Sequence, residues 1–262
     1  MTRADESNFV FTEATKSKLE QVAKVILVGS GKGGVGKSTV ASGLALSLSR
    51  KGKRTALLDI DIHGASVPDY LEVAPPVKSS EKGLEPKVKN GLLVMSLGLF
   101  TGSLPVPIRG ADKQELITQL FALTDWGKLD YLVVDLPPSM GDELLSAFSL
   151  FSGKATLILV TTPSPSAVNV VSRLRQLAET EKVPVQGIVI NMAYLLAGKR
   201  KTFPFGRPDH RILEAKFRSR IIAEVPLEPS VSSRGLNTVL KESNDFSRTF
   251  RKLAEYISCK VV

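Results

Sequence analysis

The chain has few of the residues that build disulfides, metal centres or membrane spans. It contains one cysteine, Cys259, and two histidines, His63 and His210, which excludes an intramolecular disulfide and offers no Ser–His–Asp arrangement. No segment approaches the ~20 continuous apolar residues of a membrane-spanning helix. Residues 1–20 also lack the apolar stretch of a secretory signal. We therefore expect a cytoplasmic protein without membrane insertion.

Positive charge is what the chain has in excess. Its formal net charge is +9, while the hydrophobic fraction of 43% and the charged fraction of 23% are ordinary for a globular protein. A basic chain favours acidic partners such as nucleic acid, anionic membrane or polyphosphate. A basic surface that serves solubility explains the same value, because net charge does not show whether the charges cluster.

Short apolar runs alternate with amphipathic segments along the chain. The runs are Val25–Val28, Thr55–Leu58, Leu92–Leu97, Tyr131–Val134, Thr156–Val160, Gly187–Ile190 and Ile221–Val225. The segments predicted to be helical are Glu13–Val22, Ser38–Arg50, Gln114–Leu123, Glu143–Phe151, Val168–Glu179 and Phe246–Ile257. This alternation predicts an α/β fold with a doubly wound, mostly parallel sheet flanked by helices. We divide the chain into a lead-in over residues 1–20 and one domain over residues 21–262, with a looser insertion around residues 72–90.

One stretch has the spacing of a phosphate-binding loop. Gly31 to Ser38 reads Gly-Lys-Gly-Gly-Val-Gly-Lys-Ser, which fits G-x-x-x-x-G-K-[ST] and lies between a predicted strand and a predicted helix. Glycines let the backbone amides turn inward, and those amides with the helix N-terminus form a positive cradle for phosphate. Lys37 then reaches the β- and γ-phosphates, Ser38 binds Mg²⁺ and Thr39 supports the α-phosphate. The residues predicted to bind ATP here are Gly31, Lys32, Gly33, Gly34, Val35, Gly36, Lys37, Ser38 and Thr39.

Carboxylates follow the predicted strands at the edge where this loop lies. Asp59, Asp61 and Asp135 each come at or just after the carboxyl end of an apolar run, which faces the ligand crevice of such a sheet. Of Asp59 and Asp61, one can hold a Mg²⁺-bound water and the other can orient the attacking water. We place Asp59 nearer the metal, and Asp135 fits a Walker B aspartate that reaches Mg²⁺ through water. Asp142 either senses the γ-phosphate or caps the following helix.

The adenine pocket is predicted at two further strand ends. Asn191 follows Gly187–Ile190, and its amide can donate and accept hydrogen bonds together, as adenine recognition requires. Pro226 and Leu227, after the last run, form the other wall. With no histidine-based device, catalysis rests on positioning and on charge neutralisation by lysine and Mg²⁺. His63, next to the carboxylates, contacts the nucleotide or a partner, or is simply exposed.

The second lysine of the loop, Lys32, gives the sequence its first family resemblance. The chain resembles the deviant P-loop ATPases, which include MinD, ParA, the nitrogenase iron protein and the Mrp-type carriers. The resemblance implies that Lys32 reaches the nucleotide of a facing subunit, so that two chains form an ATP-dependent homodimer. It also implies that Asp61 orients the attacking water. We count Lys32, Lys37 and Asp61 as catalytic, and we expect turnover to be slow without a partner.

Within that group the chain looks like the Mrp family of iron–sulfur carrier ATPases, over residues 24–258. The resemblance implies a role in iron–sulfur cluster assembly or carriage with a protein partner that supplies thiols. The motifs that carry it are Asp59–Pro68, Ile108-Arg109-Gly110, Asp125–Tyr131, Asp135-Leu136-Pro137-Pro138, Gly141-Asp142, Thr161-Thr162-Pro163, Asn191–Tyr194 and Val225–Pro229.

Two departures from that family pattern bear on function. The family has Pro-Gly-Thr-Gly-Asp in switch II, where residues 138–142 read Pro-Ser-Met-Gly-Asp. The family's Cys-x-x-Cys pair follows the Asn-Met-x-Tyr segment, but residues 195–204 contain no cysteine. Iron–sulfur clusters need about four thiolates as a rule, so we do not expect a bridging cluster in the usual family manner.

A basic segment lies where the cysteine pair is missing. It could grip nucleic acid or dock an acidic protein, or it could be a solvated surface. We keep as alternatives to the iron–sulfur ATPase a ParA-like switch that binds DNA through this segment and a MinD-like membrane switch that uses the helix Phe246–Ile257. The basic residues between Lys199 and Arg220 are Lys199, Arg200, Lys201, Arg207, Arg211, Lys216, Arg218 and Arg220, interleaved with Phe203 and Phe205 and opposed by Asp209 and Glu214.

Overall fold

The structure, a computed structural model, describes residues 13–61, 64–101, 110–198 and 200–259. The strands are β1 (Val22–Gly29), β2 (Thr55–Asp59), β3 (Lys78–Ser80), β4 (Gly83–Glu85), β5 (Lys87–Lys89), β6 (Leu92–Ser96), β7 (Leu129–Asp135), β8 (Ala155–Thr161), β9 (Val185–Ile190), β10 (Leu195–Ala197), β11 (Arg200–Thr202) and β12 (Ile221–Glu224). The helices are α1 (residues 13–20), α2 (Lys37–Arg50), α3 (Val67–Leu71), α4 (Gly98–Thr101), α5 (Gly110–Leu123), α6 (Asp142–Leu150), α7 (Pro165–Thr180), α8 (His210–Phe217), α9 (Ser230–Arg234), α10 (Leu236–Val239) and α11 (Asp245–Cys259).

The centre of the fold is one eight-stranded sheet in the order β12-β9-β8-β1-β7-β2-β6-β5. All neighbouring pairs are parallel apart from β5 with β6, which are antiparallel. The predicted α/β fold with a mostly parallel sheet is therefore confirmed. The strand order reverses at β1, which has β7 and β2 on one side and β8 and β9 on the other. A ligand crevice is expected at the carboxyl end of the strands at such a reversal.

Both faces of the sheet are buried, which explains why the strands lack strict polar alternation. Along β1, Val25 and Leu27 enter one core cluster with residues of α5, α6 and α7. Ile26 and Val28 enter the other with residues of α2, α10 and α11. Each fully buried aliphatic or aromatic side chain stabilises the fold by about 1.5–3 kcal/mol relative to an exposed one. The parallel sheet is thus held between two helical layers.

Most predicted elements are present with shifted ends. Val22, predicted as the end of a helix, begins β1 instead, and the helix stops at residue 20. The segment predicted as helical from Val168 already begins at Pro165. There Ser164 accepts a hydrogen bond from the Ala167 backbone N–H, and proline suits the first helical position because its missing N–H is not needed. The division into a lead-in and one domain stays a prediction.

The insertion around residues 72–90 has more structure than the sequence indicates. It contains the antiparallel hairpin β3–β4 and the edge strand β5, which pairs with β6. Its three strands are three residues long and rich in charge, so they give no apolar run for a pattern to detect. Lysines at both ends of β5 suit an edge strand, because charge there discourages pairing with another chain.

The apolar face of α11 is covered by the protein itself. Phe246, Phe250, Leu253 and Ile257 are all buried, and the helix packs against α2. The interpretation of this face as a core contact is confirmed, and it leaves no apolar face for a MinD-like membrane switch. None of the helices in the described ranges is long and apolar enough to cross a membrane.

Two neighbouring residues of α2 provide a matched test of this packing. A Cβ on Gly43 would lie 2.5 Å from the ring of Phe250, so Gly43→Ala must push α11 away from α2. We expect a loss of about 1–3 kcal/mol in the free energy of unfolding from overpacking. Ser42, in contrast, buries a hydroxyl with no hydrogen-bond partner among the described residues.

Ser42→Ala removes that unpaired hydroxyl and is expected to leave the protein equally stable or stabilise it by up to about 1 kcal/mol. Both substitutions place alanine in the same helix, so its helix propensity favours both variants. Urea denaturation measures the two free energies. Equal effects of the two substitutions would contradict the close α2–α11 contact.

Candidate nucleotide site

The phosphate-binding loop joins β1 to α2 at the carboxyl edge of the sheet. Gly31, Gly34 and Gly36 have φ values of 62°, 78° and 77°, a region that residues with a Cβ rarely adopt. A Cβ on Gly33 or Gly34 would meet no atom within 4 Å, which leaves the inside of the loop open to a ligand. The left-handed conformation is therefore taken by Gly31, Gly34 and Gly36 and not by Gly33.

A buried ion pair lies directly behind the loop. Lys37, the first residue of α2, places its Nζ 2.6 Å from Oδ1 of Asp135 at the end of β7. Lys37 is 6% exposed and Asp135 is fully buried, so both charges are held away from bulk solvent. Nζ also lies 3.4 Å from the hydroxyl of Ser38, which is half-buried, as is the adjacent Thr39. The predicted phosphate and metal residues are thus brought together.

Asp59 is a second buried carboxylate beside this pair. It ends β2 in register with Asp135 on the neighbouring strand. It accepts hydrogen bonds from the Asp61 backbone N–H at 3.1 Å and from the Ser96 hydroxyl at 2.9 Å. Burial raises the pKa of Asp59 well above its usual range, and the charge of Asp135 raises it further. Lys37 opposes the same effect of burial on the pKa of Asp135.

Asp61 lies at the start of the loop after β2. It is 8% exposed, and its Oδ1 accepts a hydrogen bond from the Gly64 backbone N–H at 3.1 Å. Asp61 is near enough to Asp135 for its charge to raise the pKa of that carboxyl. Its predicted role toward the attacking water stays a prediction. His63 and the Ile108–Arg109 motif residues lie outside the described residues.

Asn191 contacts the phosphate loop, which the sequence did not indicate. Its Nδ2 donates to the backbone oxygen of Val35 at 2.8 Å, and the residue is 3% exposed. A Cβ on Gly36 would lie 2.1 Å from that nitrogen, so glycine is required there by space as well as by its positive φ. The amide predicted to read adenine is therefore partly used in holding the loop, and base recognition stays a prediction.

The predicted second wall of the base pocket lies next to Asn191. β12 pairs with β9, and the Val225 backbone N–H donates to the Ile190 oxygen at 2.8 Å. Leu227 donates its N–H to the Tyr194 oxygen at 2.7 Å. Pro226, which lies between Val225 and Leu227 in the sequence, is buried. The two strand ends thus converge beside the phosphate loop.

Lys32 points to a different partner from Lys37. Its Nζ donates to the hydroxyl of Ser166 in the first turn of α7, at 2.8 Å. Ser164 and Ser166 also share a hydrogen bond at 3.1 Å. Nothing in the local sequence indicated this contact, because the two residues lie on different crossover units. Lys32 is therefore held at the protein surface in the isolated chain.

The structure distinguishes between the two predicted roles of Asp142 in switch II, as a γ-phosphate sensor or as a helix cap. α6 starts at Asp142 with Gly141 as the residue before it, and no side chain caps this helix end. The interpretation of Asp142 as a cap of a helix starting at Glu143 is therefore wrong. The glycine places the aspartate one position inside the helix, where its charge suits the positive N-terminal end. Its predicted role at the γ-phosphate remains untested.

Cys259 lies far from this site. Glu255, one turn earlier in α11, pairs with Lys51 just after the end of α2, at 3.2 Å. Because α2 begins at the phosphate loop and has 14 residues, that end lies about 20 Å from the loop. The cysteine is exposed at this opposite edge. Among the described residues, no three His, Cys, Asp or Glu side chains cluster in a way that could hold a metal ion.

A glycine-rich loop between a central parallel strand and a helix, with a buried lysine–aspartate pair behind it, defines a P-loop nucleotide-binding protein. The family model described as "ParA: NUBPL iron-transfer P-loop NTPase" matches residues 21–258. The chain belongs to this family, and the resemblance to the Mrp-type carriers is confirmed.

Relatives and solved structures agree with this assignment. The chain is 33% identical over 254 residues to the iron–sulfur cluster carrier protein of Aquifex aeolicus, covering 93% of this chain and 70% of that protein. It is 34% identical over 242 residues to the carrier protein of Bacillus subtilis, covering 90% and 68%. The nucleotide-binding protein of Archaeoglobus fulgidus, solved in complex with ADP, has a TM-score of 0.74 and 31% identity over 93% of each chain. The MinD ATPase of Pyrococcus furiosus, with a TM-score of 0.67 and 21% identity over 90% of this chain and 99% of that one, shares the fold.

The raised pKa of Asp59 predicts a pH-dependent effect of its replacement. A carboxyl whose pKa is higher in the folded state binds its proton more tightly there, so stability falls as pH rises from about 4 to about 7. The amide introduced by Asp59→Asn does not titrate, and its oxygen can still accept from the Asp61 backbone N–H while its NH₂ donates to the Ser96 hydroxyl, which reverses that second bond. We expect this substitution to raise the free energy of unfolding by about 2 kcal/mol above pH 7.

That gain corresponds to an increase of about 4–8 °C in the melting temperature of the nucleotide-free protein. The gain should shrink toward pH 4, where Asp59 is protonated in both states. Thermal unfolding of the two proteins across this pH range measures the difference. A gain that does not change with pH would contradict the buried charge of Asp59.

Proposed function

We propose that the protein is a Mg²⁺-dependent ATPase that forms a homodimer across ATP and acts as a slow switch in iron–sulfur cluster handling. The observation that carries this proposal is the buried Lys37–Asp135 pair, with the Ser38 hydroxyl beside it, behind an open glycine loop. The names of the relatives, iron–sulfur cluster carrier proteins, support the choice of cargo.

ATP binding would separate Lys37 from Asp135 and give each a new partner. The phosphates enter the loop, where backbone amides and the N-terminus of α2 attract them. Lys37 then turns from Asp135 to the β- and γ-phosphates. The carboxylate that it leaves has one oxygen, Oδ2, that is buried and without a hydrogen-bond partner among the described residues. An orphaned buried carboxylate oxygen fits a hydrated cation.

The residues that would hold Mg²⁺ are Ser38, Asp59 and Asp135, the two carboxylates through water. These are the hard oxygen donors that Mg²⁺ prefers, and phosphate and water supply its remaining ligands. When bound, the ion neutralises charge on the β- and γ-phosphates. Asp61, at the mouth of the site, would accept a hydrogen bond from the attacking water and orient it.

Dimerisation would complete the site from outside. Lys32 leaves Ser166 and reaches the nucleotide of the facing subunit, as the family resemblance implies. The bond it gives up is a single exposed contact to a neutral hydroxyl, whereas a phosphate pairs the lysine charge with an opposite charge. ATP in two facing sites can therefore favour the dimer.

Cargo binding would depend on a partner. The whole chain has one cysteine, so a dimer has two thiols, and these lie at the sheet edge opposite the ATP site. A cluster needs about four ligands. We propose that the protein supplies the ATP-driven change of state while a partner protein supplies most of the thiols.

Lysine substitutions separate nucleotide binding from dimer formation. Lys37→Ala should abolish ATP binding, because it removes the lysine that reaches the β- and γ-phosphates of its own subunit's nucleotide. Lys32→Ala should bind ATP normally and fail to dimerise. Lys128→Ala, an exposed lysine at the opposite edge of the sheet, is the matched control and should behave as wild type.

Isothermal titration measures ATP binding, and light scattering with and without Mg²⁺ and ATP measures the mass. Because Lys37→Ala leaves Asp135 buried without its cation, thermal unfolding first establishes that each variant is folded. A Lys32→Ala protein that still dimerises on ATP would refute the facing-subunit role of Lys32. ATP binding by folded Lys37→Ala would refute the site itself.

The cargo proposal is tested by anaerobic reconstitution with iron and sulfide. We expect no stoichiometric visible absorption band in the wild type or in Cys259→Ala, because too few thiols are present and they lie in the wrong place. A stoichiometric band that disappears in Cys259→Ala would show instead that Cys259 binds the cluster. In that case the partner-supplied thiols are unnecessary.

A further inference from the structure

A groove lies between the first turn of α7 and the start of α8, outside the nucleotide site. Its volume is about 260 Å³. Its walls are largely apolar and rigid, formed by Pro163, Pro165, Val168, Pro208 and Ile212. Prolines on both sides hold the backbone in fixed conformations, so the groove needs little ordering when something binds.

Ile212 is the exposed apolar residue of this groove. It is 62% exposed, although α8 is anchored by its neighbours Leu213 and Phe217, which are buried in the core. The helix therefore has a core face, and Ile212 is not part of it. Together with the prolines and Val168 it forms one contiguous apolar surface, and exposed apolar patches with a polar rim mark interaction sites.

The rim of the groove carries positive charge that the described contacts leave unneutralised. The guanidinium of Arg207 stacks on the ring of Phe203, with 4.8 Å from Cζ to the ring centre. Lys216 donates to the side-chain oxygen of Asn169 at 2.6 Å. Both partners are neutral groups. These contacts position the two cations at the edges of an apolar groove and leave their charge available.

The two acidic residues of this segment both accept backbone hydrogen bonds, and Asp209 also lines the groove. Asp209 caps α8, since its Oδ1 accepts from the Ile212 backbone N–H at 3.1 Å. Glu214 accepts from the Ile221 backbone N–H at 2.9 Å and so ties the helix to β12. Exposed Arg211 and Arg218 add to the positive side of the balance. The surroundings of the groove are therefore basic.

We propose that this groove docks a segment of a partner protein that carries an apolar side chain flanked by aspartate or glutamate. The apolar side chain would pack on Ile212 and the prolines, and the carboxylates would meet Arg207 and Lys216. Nucleic acid fits less well, because a phosphate backbone has no group for an aliphatic, proline-lined surface. The inference goes beyond the ATP switch and does not depend on it.

The position of the groove links it to the rest of the molecule. Pro165 in its wall precedes Ser166, the residue that holds Lys32. A segment bound in the groove would therefore lie close to Ser166 and Lys32, at the edge of the phosphate loop. A partner that brings its own thiols would be placed close to the proposed switch.

The test is a selection of random dodecapeptides displayed on phage against the full chain. Selected peptides are then synthesised with a fluorescent label, and fluorescence anisotropy measures their affinity. We expect enriched sequences with one or two apolar residues between acidic ones. Ile212→Ser should weaken their binding about tenfold or more, as for a central anchor, and Arg207→Gln should weaken it several-fold.

Two matched controls make the comparison specific. Val88 is 65% exposed on the edge strand β5, so Val88→Ser removes an equally exposed aliphatic group elsewhere. Lys128→Gln removes an exposed cation at the far edge of the sheet. Both should change peptide affinity less than twofold. ATP binding, measured on the same samples, should be unchanged in all four variants, so that failure of the groove and failure of the ATP site are told apart.

Several results would overturn the proposal. One is a selection that yields no peptide whose binding depends on Ile212. Another is binding of random-sequence duplex DNA that needs Arg207 and Lys216 but not Ile212, which would assign the surface to nucleic acid. A third is self-association that is lost in Ile212→Ser, which would assign it to a second copy of the chain.

Discussion

The site depends on one interaction, the ion pair between Lys37 and Asp135. A lysine and a carboxylate both removed from water tolerate burial because each neutralises the other. The pair does not balance all the charge and hydrogen bonding of the site. Asp59 adds a second buried carboxylate, and one oxygen of Asp135 has no hydrogen-bond partner among the described residues. The surplus of negative charge disfavours the state without a bound cation. A phosphate that pairs with Lys37 and a cation that binds near the carboxylates would give each of these charged groups an oppositely charged partner.

The parallel sheet explains why these groups meet. β1, β2 and β7 are adjacent and parallel, so their carboxyl ends bring the loop, Asp59 and Asp135 to one edge. The two buried layers around them fix the strands within a close-packed core. The same topology brings β9 and β12 beside the loop, where Asn191 contacts Val35. Stability and binding therefore rest on the same register of strands.

Local spacing was enough to predict part of this site, and distant contacts were not. Lys37, Ser38 and Asp135 lie in motifs whose meaning is contained in a few consecutive residues. The bonds from Lys32 to Ser166 and from Asn191 to Val35 join residues far apart in sequence, and a motif carries no signal of them. The charged strands β3 to β5 were not predicted, because strand prediction relies on apolar runs. The basic segment was visible as composition, but its proline-lined groove required the packing of α7 against α8.

The protein has the phosphate-binding loop of its family. Its sequence has one cysteine and so lacks a Cys-x-x-Cys pair, and a basic groove lies between α7 and α8. A crystal structure with Mg²⁺ and a non-hydrolysable ATP analogue tests the central claim most directly. We predict that the Nζ of Lys37 has left Asp135 for the β- and γ-phosphate oxygens, with Asp135 facing the hydrated cation. A structure with the analogue bound and Lys37 still paired with Asp135 would contradict the account.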